Sequence, residues 1–121
     1  MQKVAQVFVA GVPYPQAKVR GDTEGPLRWS KAVKDATAGL DSVSGPCSLS
    51  VEFVLPVDKF PEDYPLGPDL DNYVKRLQDA LGETVLCQAP GKDSCVVELR
   101  ATKRKALPKE ATGAWVTIER L

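Results

Sequence analysis

The chain has 121 residues, and 16 Lys and Arg balance 16 Asp and Glu, with no histidine at all. The missing histidine excludes Ser-His-Asp and Cys-His triads, imidazole bases and zinc deaminase sites, leaving carboxylates, lysine, hydroxyls and thiols for any chemistry. Zero net charge withdraws bulk basicity as an argument for nucleic acid, and the length suits one domain over residues 1–121.

Residues 3–12 (KVAQVFVAGV) are rich in Val and Phe and stop at Gly11 and Pro13, which predicts a first strand. This apolar stretch is short and alternating, and no small-residue cleavage site follows it, so it does not read as a secretory signal. No apolar run approaches the roughly 18–20 residues that cross a bilayer, so no membrane partner is expected. Pro13, Pro15, Gly21 and Gly25 mark a loop that also carries Lys18 and Arg20. From Pro26 to about Leu40, the residues Leu27, Trp29, Ala32, Val33, Ala36 and Leu40 recur at helical spacing.

Residues 47–55 alternate cleanly. Cys47, Leu49, Val51, Phe53 and Leu55 face one way, and Ser48, Ser50 and Glu52 the other. Four prolines make residues 56–68 irregular. Asp69 to Gly82 reads as an amphipathic helix with Leu70, Tyr73, Val74, Leu77, Ala80 and Leu81 as its apolar stripe. Asp69 suits its N-cap and Gly82 its C-cap. After a turn at 88–92, residues 94–103 alternate again, with Cys95, Val97, Leu99 and Ala101 on one face. A basic loop follows, and Ala114–Leu121 reads as a last strand. The order β-α-β-α-β-β predicts an α+β fold, a small mixed sheet with two helices packed on it. Cys47, Cys87 and Cys95 are odd in number and lack CxxC spacing, so they read as buried thiols in a reducing cytoplasm. Trp29 and Trp115 read as core or dimer contacts.

The chemistry concentrates at Gly67-Pro68-Asp69-Leu70-Asp71-Asn72-Tyr73-Val74-Lys75, then Asp79, with a second acid at Asp93 where a turn enters a strand. Hard divalent cations take oxygen ligands, commonly one or two carboxylates with waters and substrate phosphate. Two acids at i and i+2 across a helix start can point into one cleft, and an acid at a strand mouth can close it. The plainer alternative stays open at this point. Asp69 as a cap, Asp71–Lys75 as an i,i+4 surface pair and Asp79 on a solvated face would produce the same spacing.

The string Pro68-Asp69-Leu70-Asp71-Asn72-x-x-Lys75, then Asp79-Ala80-Leu81, then Asp93-Ser94-x-Val96-Val97, then Lys103, resembles the RusA family of Holliday junction resolvases. Gly11-x-Pro13 with Lys18 and Arg20 resembles that family's opening strand and basic loop. The resemblance implies that Asp69, Asp71 and Asp93 are catalytic carboxylates holding Mg²⁺, with Mn²⁺ as a substitute, and that Lys75 is a catalytic lysine. Asn72 and Asp79 match supporting positions. It further implies a homodimer in the cytoplasm of a bacterial or phage-infected cell. The dimer would cut a four-way DNA junction symmetrically and use no organic cofactor. The pattern departs at Lys92 and Cys95, where the family has an acid and a glutamine. The arginines that often precede the first motif are absent. The departures at Lys92 and Cys95 are the support for a second reading, a non-catalytic junction-binding or architectural protein that keeps the fold. A nuclease of the same chemistry acting on flaps or forks is a third.

Lys18, Arg20, Lys103, Arg104 and Lys105 are candidate phosphate contacts, since cationic side chains supply most of the affinity for DNA. Phe60, Tyr64 and Leu66 are candidate wedges at a junction centre. The neutral total hides a pattern. Residues 1–40 hold six basic and three acidic groups, residues 41–100 five and eleven, and residues 101–121 five and two. The acidic middle carries the motif, and the ends are basic.

Overall fold

In a computed structural model, residues 2–16, 24–57, 69–86 and 92–121 are described, with the backbone alone at 2–4, 92 and 93. The elements are β1 (Gln2–Ala10), α1 (Glu24–Thr37), β2 (Cys47–Leu55), α2 (Leu70–Leu81), a 3-10 turn (Lys92–Cys95), β3 (Val96–Lys105) and β4 (Gly113–Arg120). This is the expected α+β class, in the expected order. No described helix is long and apolar enough to cross a membrane.

The four strands form one mixed sheet in the order β1-β4-β2-β3. β4 runs antiparallel to both β1 and β2, while β2 and β3 are parallel and joined through α2. A parallel pair needs such a crossover, because its strand ends lie a full strand length apart. The last strand therefore sits in the interior of the sheet, and β1 and β3 are its edges.

Both helices cover one face. Leu49, Val51 and Phe53 of β2, with Ala114, Val116 and Ile118 of β4, meet Trp29 and Val33 of α1 and Tyr73, Val74, Leu77 and Leu81 of α2 in one core. The period-2 pattern of the strands and the 3.6-residue stripe of α2 point at this same layer. Burying each large side chain stabilises the fold by about 1.5–3 kcal/mol.

Two expectations needed correction, and a third, for Trp115, is narrowed from core or dimer contact to a residue outside the core. The first helix begins at Glu24 and ends at Thr37, and its buried stripe is Trp29, Val33 and Thr37. Leu27 is 69% exposed, because at about 100° per residue it lies on the other side of the helix from Trp29, Val33 and Thr37. Trp115 is 48% exposed on the helix-free face, stacked at a tilt on Phe8 with ring centroids 4.7 Å apart. Val97 and Leu99, expected on a covered face, are 62% and 47% exposed. β3 is an edge strand, and α2 overhangs it incompletely. Of the cysteines, Cys47 is buried and Cys95 half-buried, both as thiols, and Cys87 lies outside the described residues.

Gly113 opens β4 at φ +153, and a Cβ there would stand 2.1 Å from the carbonyl oxygen of Val9. Beyond β3, Glu110 receives both Nη atoms of Arg104 at 2.7 Å and the amide of Leu107 at 2.8 Å. The Arg104 side chain, then the Leu107 amide, hold the Glu110 carboxyl down at about 2. A lowered carboxyl pKa contributes stability above the unfolded value and loses it as pH falls through the folded one. Glu110→Gln is therefore expected to melt below the wild type at neutral pH. The gap should close between about pH 4.5 and pH 2. Thermal melts across that range would refute the linkage if the gap stayed constant.

Candidate active site

Asp69 occupies the N-cap position of α2 in extended backbone, but its side chain makes no capping hydrogen bond. Its carbonyl oxygen instead accepts the amides of Asn72 (3.1 Å) and Tyr73 (3.4 Å). The first turn is thus closed by backbone alone, and the carboxylate stays exposed. Asp71, one residue into the helix, is also exposed. It forms no ion pair with Lys75 among the described residues, although the two are spaced as Lys31 and Asp35 are, which do pair at 2.7 Å. The two plain explanations for these acids, a cap and a surface pair, are both unmet. Two hard oxygen donors and one ammonium remain at one helix start. That donor set fits a hard divalent cation.

Tyr73 anchors this end of α2. Its ring packs on Phe53 with centroids 5.4 Å apart, near the C-terminal end of β2. Burial pushes its phenol up to about 12, so it stays protonated and takes no charge at neutral pH. Asn72 is half-buried, and its carbonyl accepts the Gln16 amide at 2.8 Å, tying the segment after β1 to the site helix. Arg76, not singled out from sequence, reinforces the tie by donating to the Pro15 carbonyl (3.1 Å) and to Ser30 Oγ (3.3 Å). The signal was present: Asn72 and Arg76 stand four apart on the face opposite the apolar stripe. Asp79 is exposed two turns on, in a shallow groove with Arg76, Lys34 and Glu83.

Asp93 lies in the 3-10 turn that opens β3, and its side chain is outside the described residues. The turn sits beside the start of β2, where Cys47 pairs with Val96 and the Sγ atoms of Cys47 and Cys95 are 3.7 Å apart. The other end of α2 is there too, with the Val43 amide on the Val85 carbonyl at 2.8 Å. The first turn of α2 lies toward Phe53, six residues along β2, or roughly 20 Å at ~3.3 Å per residue. Within one chain, the fold brings Asp69, Asp71 and Lys75 together and carries the backbone of Asp93 to the other end of the strand.

Among the basic candidates, Lys105 is exposed and Lys103 half-buried. Arg104 is held in its own chain by Glu110, with Glu52 also at 3.4 Å. Those carboxylates raise its pKa further. Lys18, Arg20, Phe60, Tyr64 and Leu66 lie outside the described residues.

Two exposed carboxylates and an exposed lysine thus stand at one helix start of a small α+β domain. The sequence profile of the family Endodeoxyribonuclease RusA matches residues 23–119, and the chain belongs to that family of DNA endonucleases, the Holliday junction resolvases. No curated protein matches the chain.

Proposed function

We propose that the protein is a Mg²⁺-dependent endonuclease that works as a homodimer and resolves four-way DNA junctions by paired cleavage. The observation that carries this is that Asp69, Asp71 and Lys75 at the start of α2 have no side-chain partner among the described residues, in a chain of the RusA family. Asp69 and Asp71 would hold the cation, with Mn²⁺ as a substitute. When bound, it supplies charge neutralisation at a phosphodiester under attack by water. Lys75, one turn along, is placed to contact the scissile phosphate. Asn72 and Arg76 position the helix against the segment after β1, and Asp79 supports its outer face. Lys103 and Lys105 contact phosphates flanking the cut.

The distance between Asp93 and the helix start is best explained by a cation shared between protomers. Asp69 and Asp71 of one chain would work with the Asp93 of a second copy. A two-fold symmetric junction asks for two such sites related by a two-fold axis.

The test is a synthetic mobile four-way junction incubated with the protein and Mg²⁺, beside a linear duplex of the same sequence. Symmetric paired nicks in the junction, absent from the duplex and abolished by chelator, are expected. Tight junction binding with no cleavage in either Mg²⁺ or Mn²⁺ would leave only a junction-binding protein.

A further inference from the structure

The exposed edge of β3 is the largest departure from the expected pattern, and it has a self-complementary sequence. Among the described residues β3 pairs with β2 alone, which leaves the other side of this ten-residue strand without a described partner. Long edge strands with exposed apolar side chains invite pairing with another strand. Val97 and Leu99 are that kind of residue, and Leu99 and Ala101 also line a groove of about 580 Å³ against Leu70 and Val74 of α2. On the other face, Glu98 and Arg100 have no ion-pair partner among the described residues.

We infer that the edge of β3 is the dimer interface, paired antiparallel with β3 of a second copy about a two-fold axis at Leu99. This rests on the dimeric reading above. A two-fold axis perpendicular to a continuous sheet must fall on a residue, since directly opposed side chains share a face. An axis at Glu98 sets Glu against Glu, and an axis at Arg100 sets Arg against Arg. An axis at Ala101 opposes Leu99 to Lys103 and needs Arg104, which Glu110 already holds. At Leu99 the three central pairs are all favourable. Leu99 meets Leu99, Val97 meets Ala101, and each Glu98 meets an Arg100. The same register lays the turn preceding β3 of the second copy beside the C-terminal end of this chain's β3, toward the helix start that carries Asp69 and Asp71.

Leu99→Cys tests the register. Residues opposed on the axis have Cβ atoms about 4.5–5.5 Å apart, within reach of a disulfide. Oxidation should link most of that variant into a dimer. Thr102→Cys, whose copies would stand roughly 20 Å apart, should stay unlinked like the wild type. By sedimentation, Glu98→Arg should raise the dimer dissociation constant about tenfold, because like charges directly opposed are destabilising. Glu98→Arg with Arg100→Glu should restore it. A wild-type dimer in which Leu99→Cys does not cross-link and Glu98→Arg changes nothing overturns this interface alone. A wild-type chain that sediments as a monomer while cleaving junctions overturns the dimeric reading with it.

Discussion

Asp71→Asn is expected to cut junction cleavage by at least about 100-fold while leaving the fold intact. Even partners behind a metal ligand cost 10–100-fold when removed, so a direct ligand costs no less. The carboxylate is exposed and makes no hydrogen bond or ion pair among the described residues, so its loss leaves no described group unsatisfied. Without Mg²⁺, the variant should bind the junction as tightly as the wild type or tighter, because one negative charge facing phosphate is gone. Asp93→Asn should be equally inactive. The informative experiment mixes the two. If the cation is shared between protomers, each mixed dimer holds one site with both carboxylates and one with neither. Activity should then return as single nicks, not paired ones. If each chain builds its own site, every site in the mixture is damaged and no cleavage returns. That result would sink the shared-cation reading and leave the endonuclease reading standing.

Gly113→Ala should have the largest effect on stability. A Cβ at Gly113 would overlap the Val9 carbonyl at 2.1 Å and the Phe8 ring at 2.8 Å, and φ +153 disfavours any L side chain. The nearer obstacle is backbone and cannot swing aside. Relief requires β1 and β4 to separate where their pairing begins, at Ala10 and Gly113. A cost of at least about 3 kcal/mol is expected, a large share of the roughly 5–15 kcal/mol typical of a domain. The melting temperature should fall by about 10 °C or more. Gly39→Ala is the control, since a Cβ there meets nothing within 4 Å. If Gly113→Ala melted within about 2 °C of the wild type, the steric argument would fail.

What was legible in the sequence follows from what each signal reports. The strand at 47–55 was read to the residue, because its alternation is the direct imprint of one buried face. The helix at 70–81 was read for the same reason, its stripe matching Tyr73, Val74, Leu77, Ala80 and Leu81. β3 misled, because alternation reports which side chains share a face and not whether anything covers it. Leu27 misled through the same ambiguity on α1. The roles of Asp69 and Asp71 were open on spacing alone, since caps and surface pairs produce the same pattern. The structure shows Asp69 at the N-cap position without a side-chain capping bond, and no Asp71–Lys75 ion pair among the described residues. No local pattern could place the Asp93 turn relative to α2, because that depends on the direction of the crossover. Nor does a lysine-and-arginine run give any hint that Arg104 pairs with Glu110, six residues on.

The position of β4 has a consequence for how the molecule is made. Its eight residues are the last of the described elements, yet they bridge β1 and β2. Until Gly113–Arg120 has left the ribosome, β1 has no strand partner and the core lacks Ala114, Val116 and Ile118. Contacts between the first and last strands carry the largest loop-closure cost, so they form late. Before then, β2, α2 and β3 can assemble only half a sheet. This fold is therefore complete only once β4 has been made, and a chain cut short before Gly113 has no central strand to fold around.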